Sequence, residues 1–120
     1  MRKLLAALSV CLILASCGGS GSKPSADAVK NLETAKRLEG KALLTKNDCL
    51  TCHIEQEKLV GPAYKDVAAK YAGQEGAANM LVDKVINGGS GVWGDVAMAA
   101  HPNLSRSDAE KMVNYILTVK

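Results

Sequence analysis

The stretch NDCLTCHIEQ, residues 47–56, contains two cysteines separated by two residues, and a histidine follows the second cysteine directly. Four kinds of site use this spacing: a disulfide, a tetrahedral zinc site, a redox-active dithiol and a covalent haem attachment. Each of them requires a different fold around it. The rest of the chain must therefore show what Cys49, Cys52 and His53 do.

Three of these sites fit the chain poorly, although they stay open as alternatives. A disulfide between Cys49 and Cys52 would close a very short loop, and the stabilisation by a disulfide grows with loop length. A zinc site needs four ligands, and only His53 and His101 are available to complete the set. A thioredoxin-like dithiol needs a βαβ context, whereas the hydrophobic pattern predicts no strands.

A covalently attached haem fits the remaining observations. Two thiols at this spacing can add to the two vinyl groups of one haem, and His53 then lies under the ring, where its imidazole can bind iron. The chain has no Phe, one Trp and three Tyr, so it has few of the large side chains that usually fill a small core. We therefore predict one haem c, bound through Cys49 and Cys52.

The first residues predict export. Arg2 and Lys3 precede an apolar run, residues 4–15, that is too short to span a bilayer as a helix but has the length of a signal-peptide core. The run leads into LASC, which resembles a bacterial lipobox and would make Cys17 the lipidated first residue after cleavage. A buried helix and an ordinary cleavage site beside an incidental cysteine are the alternatives. We expect residues 1–16 to be a signal peptide.

Residues 17–25 combine the lipidated Cys17 with a stretch rich in Gly and Ser, which has the composition of a flexible tether. As a random coil, residues 18–25 would span about 16 Å. We expect residues 26–39 to form an extra helix or stalk, with a disordered spacer as the alternative. The folded domain would then lie close to its membrane.

The net charge argues against one class of partner. The whole chain carries +3, and removal of Arg2 and Lys3 with the signal peptide leaves +1. A charge this small gives no reason to expect binding to nucleic acid or strong electrostatic binding to lipid.

The hydrophobic pattern predicts an all-α domain. Ser25 can cap a first helix over residues 26–46, in which Gly40 either divides two segments or marks a close contact. Further helices are predicted over residues 64–73 and 76–88, and glycines end both of them.

A long Gly-rich loop, residues 88–106, separates these helices from the last one, and we expect it to be irregular. Ser107 and Glu110 form a capping box that would open the last helix. Loops of this length in a compact domain tend to be functional.

A haem that only carries electrons also needs a sixth iron ligand. Met80 and Met112 lie on predicted helix faces, where methionine usually fills the core. Met98 lies in the long loop, 45 residues after His53, and its soft sulfur would favour ferrous iron. His101 is the rival ligand, or else a solvent-facing loop residue. We predict Met98.

Two segments, VGPAYKDVAAKYAGQ at 60–74 and INGGSGVWGDVAM at 86–98, resemble the small bacterial class I cytochromes c of the cytochrome c-551 type. The resemblance covers residues 40–120. It implies a small cytochrome c fold, with four to five helices wrapped around one covalently bound haem, and it makes residues 40–120 the haem domain.

The resemblance also implies roles for the residues around the haem. Cys49 and Cys52 match the thioether cysteines, His53 matches the proximal iron ligand and Met98 matches the distal one. Pro62 matches a proline in the loop under the proximal histidine, where a backbone carbonyl accepts the imidazole N–H and so fixes the ring.

Further positions match the family, and the spacing departs from it only after Met98. Trp93 matches a tryptophan whose indole N–H points to a haem propionate, with plain packing as the alternative. Gly40 and Tyr115 match a close contact between the first and last helices. The family has two prolines after the distal methionine, whereas AAHP follows here. Asn103 could therefore match an asparagine that tunes the methionine sulfur only with shifted spacing.

The resemblance implies a single-electron carrier, not an enzyme, anchored by lipid at the bacterial cell envelope with its haem domain in the periplasm. Its donor would be a protein such as a quinol oxidoreductase, and its acceptor a terminal oxidase or periplasmic reductase. Gly18 after Cys17 resembles the sorting signal for the outer membrane in enteric bacteria. The alternative is a haem enzyme or gas sensor with a labile or open sixth position, which the altered loop after Met98 favours.

Overall fold

The computed structural model describes residues 25–120, so the predictions for the signal peptide and for Cys17 lie outside the described residues. The described part is a small helical domain, as the sequence predicts. Its elements in chain order are α1 (Ala26–Lys46), a 3-10 turn (Cys49–Thr51), α2 (Tyr64–Tyr71), α3 (Ala77–Asn87), β1 (Gly89–Gly91), β2 (Gly94–Met98) and α4 (Arg106–Ile116). No helix within residues 25–120 is long and apolar enough to cross a membrane.

Helix α4 is the centre of the packing, because α1, α2 and α3 all contact it. One side of the core contains all three tyrosines together with aliphatic side chains, and the other side contains mainly valine and alanine. Met112 is fully buried, which confirms it as a core residue. The core thus uses its few aromatic residues on the side nearest α1 and α2.

The buried face of α3 does not include Met80, which the sequence predicts to lie there. The sequence places Met80 on the core face, yet Met80 is 38% exposed and Val82 is fully buried instead. The buried stripe runs through Ala77, Val82 and Val85. With about 3.6 residues per turn, Met80 lies away from the centre of that stripe, so the predicted role as core filler is wrong for this residue.

Helix α1 is continuous through Gly40. Ser25 caps it, because its side-chain oxygen accepts a hydrogen bond from the Ala28 backbone N–H at 3.2 Å. Gly40 is buried against α4, and a Cβ at this position would lie 2.8 Å from the Cβ of Tyr115 and would also collide with the carbonyl oxygen of Lys111. The close-contact interpretation of Gly40 is therefore confirmed. Residues 26–39 are exposed along the whole first part of the helix.

The loop expected to be irregular contains an antiparallel hairpin. Gly89 pairs with Met98 and Gly91 with Gly94, and a two-residue turn, Val92 and Trp93, joins the strands. The prediction of no strands is wrong here because the strands are too short to alternate. Gly91 and Gly94 adopt positive φ angles of 107° and 117°, which glycine tolerates and which no hydrophobic pattern reveals.

The last helix begins earlier than predicted. Ser105 is its N-cap, and its side-chain oxygen accepts from the Asp108 backbone N–H at 3.1 Å. Ser107, the predicted cap, lies inside the first turn. Two serines two residues apart offer the same local signal, and the packing of Leu104 against the core favours the first of them.

The segment after the cysteine motif is attached to both terminal helices by one polar cluster. The Glu55 carboxylate accepts a hydrogen bond from the Tyr115 hydroxyl and pairs with Lys41 Nζ at 2.9 Å. Lys41 Nζ also lies 5.9 Å from the centre of the Tyr115 ring. The hydrogen bond from Tyr115, together with Lys41, lowers the pKa of Glu55 below its ordinary value of 4.5.

We expect Gly40→Ala to destabilise the folded protein by about 1–3 kcal/mol, because a Cβ there overpacks the α1–α4 contact. At an exposed helical site the same change would stabilise by up to about 1 kcal/mol. Denaturant unfolding of the haem-loaded protein measures the difference. Thr45→Ala, an exposed change in the same helix, is the control and should not destabilise. Equal stability of Gly40→Ala and the parent would contradict the close contact.

The Glu55 cluster makes stability depend on pH. Because the folded-state pKa of Glu55 is lowered, its contribution is complete above the ordinary pKa of 4.5 and is lost as the pH falls through the lowered value. Glu55→Gln should therefore lower the melting temperature at about pH 7 and lower it less at about pH 3. A difference between the two proteins that is the same at both pH values would show that the carboxylate charge contributes nothing.

Candidate functional site

One apolar cleft in the described residues has both Cys49 and His53 in its walls. It lies between the cysteine motif, the helices and the hairpin, and it encloses about 950 Å³, including the part open to solvent. Its walls are mainly apolar side chains from α2, α3, α4 and the hairpin: Tyr64, Val67, Tyr71, Leu81, Val85, Val92, Val96, Val113 and Ile116. Ligand sites are typically concave and mostly apolar with a few placed polar groups, and this lining has that character.

The cysteine motif forms a tight turn at one end of this cleft. The Cys52 and His53 backbone N–H groups both donate to the Cys49 carbonyl, at 3.2 and 3.0 Å. Cys49 lines the cleft and is half-buried, whereas Cys52 is exposed, and both thiols are free. Burial raises the pKa of the Cys49 thiol. The structure therefore contradicts a disulfide between the two cysteines.

The zinc alternative gains no support from the geometry. Within residues 25–120, no three side chains of Cys, His, Asp or Glu come together as a metal site would require. His101, the candidate fourth ligand, lies on the loop after β2 and does not line the main cleft.

His53 is held by its neighbours in one orientation. Its Nδ1 lies 2.8 Å from the Pro62 carbonyl oxygen, so Nδ1 is assigned as the protonated donor and Nε2 keeps a free lone pair. The imidazole stacks on the Tyr64 ring, with centroids 5.5 Å apart and planes 12° apart. A Cβ at Gly61 would lie 2.7 Å from His53 Nε2, so the backbone approaches the ring too closely for any other residue.

Met98 is the candidate methionine that the fold brings to the cleft. It is half-buried at the end of β2 and lines the cleft together with His53. Met80 and Met112 are not among the lining residues. The backbone that follows Met98 packs closely against Gly88, since a Cβ at Gly88 would lie 2.9 Å from the Ala100 nitrogen.

His101 is neither a solvent-facing residue nor a residue of the main cleft. Its backbone N–H donates to the Ile86 carbonyl at 2.9 Å, and its Nδ1 lies 3.3 Å from the Val85 carbonyl oxygen. It is half-buried and lines a neighbouring groove together with Cys52, His53 and Met98. Asn103 is exposed and lines neither of these surfaces.

Trp93 lies in the turn between the hairpin strands and lines the cleft with 40% of its surface exposed. The Nζ of Lys70, in the last turn of α2, lies 5.3 Å from the centre of its ring. Sequence reasoning missed Lys70, and it also missed the tyrosines of α2. Tyr64 and Tyr71 recur with Val67 on one helical face, a pattern that the sequence does contain.

The cleft fits the haem that the sequence predicts. Its lining is apolar apart from a few groups, and it presents a thiol from Cys49 and an imidazole from His53 at one end. The hydroxyl of Tyr64 is buried without a hydrogen-bond partner within residues 25–120, and burial raises its pKa. An unpaired buried hydroxyl is costly, which is typical of a site shaped around a bound group.

The comparisons with known proteins agree with this site. The sequence model of the cytochrome c family matches residues 38–120. Cytochrome c-552 of Nitrosomonas europaea is 47% identical over 78 residues, which make up 65% of this chain and 76% of that protein. Cytochrome c-551 of Ectopseudomonas mendocina is 44% identical over 81 residues, or 68% of this chain and 98% of that protein.

Solved structures give the same result. The crystal structure of wild-type Nitrosomonas europaea cytochrome c552 matches with a TM-score of 0.64 and 46% identity, over 67% of this chain and 99% of that one. The matched family segment, 38–120, includes every residue that lines the cleft. The chain therefore belongs to the cytochrome c family, and it transfers electrons through one haem c bound covalently by Cys49 and Cys52.

Proposed function

We propose that this chain is a membrane-tethered carrier of single electrons whose haem iron is bound by His53 and Met98. One observation carries the proposal. His53, with its Nδ1 held by the Pro62 carbonyl at 2.8 Å, and Met98 both line the apolar cleft that the Cys49 thiol also reaches.

The surrounding residues support such a role. A bound haem supplies iron that changes between the ferric and ferrous states by one electron. His53 Nε2 is free to bind the iron, and the hydrogen bond from Nδ1 to Pro62 fixes the ring and increases its basicity. The Met98 sulfur favours ferrous iron. The Trp93 indole N–H, at the rim of the cleft, is our candidate donor to a propionate.

The same arrangement supports a carrier rather than an enzyme. With His53 and Met98 both bound to it, a haem iron would have no open position, and the apolar walls would limit its exposure to water, which raises the reduction potential. Cys52 is exposed, so one edge of the haem would be close to solvent and to a partner. Redox partners, such as a quinol oxidoreductase as donor and a terminal oxidase or periplasmic reductase as acceptor, would bind through a small, short-lived interface.

The proposed location is the periplasmic side of the cell envelope, with a lipid on Cys17. Gly18 favours the outer membrane. Residues 26–39 of α1 are helical and exposed, and at about 1.5 Å per residue they would act as a stalk about 21 Å long. A short flexible tether of residues 17–25 would raise the effective concentration of partners in the same membrane to millimolar order.

Loss of the proposed sulfur ligand should be visible in the spectrum. In ferric Met98→Ala we expect the weak far-red band of sulfur-ligated haem to disappear, and the reduction potential to fall by on the order of 100 mV. Absorption spectroscopy and redox titration measure the two effects. Met80→Ala is the matched control, because Met80 is exposed outside the cleft, and it should keep the band.

A parent protein with a c-type spectrum but no far-red band would contradict Met98 ligation. Carbon monoxide then separates the remaining possibilities. Rapid binding to the ferrous protein would indicate an open or labile position, as in a haem enzyme or gas sensor. Absence of binding would favour His101 as the ligand.

The lipid anchor has its own test. Cys17→Ser, expressed from the full chain, should move the haem protein from the membrane fraction to the soluble fraction without changing its absorption spectrum. Fractionation followed by haem staining measures this. Cys11→Ser is the matched control and should leave the protein in the membrane fraction. Retention of Cys17→Ser in the membrane would contradict the anchor.

A further inference from the structure

The hairpin of residues 89–98 is anchored at its base, where Met98 packs against the valine side of the core, whereas its tip covers the cleft with little support. Val92 and Val96 are 53% and 70% exposed. Within residues 25–120, no hydrogen bond or ion pair joins the hairpin to a helix. Elements with few buried contacts open most easily in the native state. Yet this hairpin ends in Met98, the proposed iron ligand.

One contact links the tip of the hairpin to a helix across the cleft. Lys70 Nζ, on α2, lies 5.3 Å from the centre of the Trp93 ring. A cation at this distance over an indole face is attracted by the negative face of the ring, and tryptophan is the strongest partner for this interaction. The Lys70 ammonium forms no ion pair among the described residues, so its charge is not engaged elsewhere there.

We propose that Lys70 is a positioning residue: through Trp93 it holds the hairpin closed over the cleft and so keeps Met98 at the iron. This inference rests on the proposed function, because it assumes that Met98 is the ligand. Lys70 acts on the closed state only, since opening moves the hairpin tip away from α2. Loss of the contact therefore raises the population of the open state.

The population of the open state can be measured through the binding of an external ligand. Imidazole must displace Met98 to reach ferric iron, so its apparent affinity increases in proportion to the fraction of open protein. From the usual strength of an exposed cation–π contact, Lys70→Met should bind imidazole about two- to five-fold more tightly than the parent. Lys70→Gln, a second neutral variant, should bind imidazole about as tightly as Lys70→Met. Lys70→Arg keeps the cation and should restore the parent affinity.

Two controls separate positioning from a general effect of charge. Lys65→Met removes the same charge from the same helix, where no cation–π contact is present, and should leave the affinity unchanged. In a Trp93→Leu background the contact is already absent, so Lys70→Met should add nothing. The titration is followed by the Soret band of the full-length ferric protein, after the far-red band has been checked in the parent.

The outcomes are distinct. Parent-like affinity in both neutral variants, an equal shift in Lys65→Met, or a full additional shift in the Trp93→Leu background would each overturn the proposal. In these cases a far-red band in the parent would still support Met98 ligation. A parent without that band would overturn the proposed ligation and the role of Lys70 together.

Discussion

The site depends first on the hydrogen bond between His53 Nδ1 and the Pro62 carbonyl, 2.8 Å long. It selects the tautomer that leaves Nε2 free, and it fixes the ring plane against Tyr64. The same loop brings Gly61 so close to the imidazole that no side chain fits there. The loop between the motif and α2 thus positions His53, the proposed iron ligand, from two sides, although it contributes little to the buried core.

The helices make that loop rigid. Glu55 joins the loop to α1 through Lys41 and to α4 through Tyr115, and Gly40 allows the two helices to meet without a side chain between them. Contacts between the two ends of the domain therefore support the residues that bind the cofactor. The packing that stabilises the domain also supports the loop that holds His53. A change in the α1–α4 contact should therefore also alter the position of His53.

The two proposed iron ligands are held by different kinds of contact. His53 lies on a turn held by backbone hydrogen bonds and a stacked ring, whereas Met98 packs against the core from the end of a hairpin whose exposed tip contacts α2 through Lys70 and Trp93. Such a difference places any opening of the site on the methionine side. The covalent bonds through Cys49 and Cys52 would then retain the haem even when the Met98 side of the cleft opens.

The sequence by itself determined the chemistry of the site and the start of α1, because the CLTCH spacing and the capping Ser25 are local patterns along the chain. Only the tertiary structure decided the exposure of Met80, the choice of Ser105 over Ser107 as a cap, and the hairpin with its Lys70 contact. These features depend on positive φ angles at glycines and on contacts between distant residues, and neither leaves a periodic signal in a sequence.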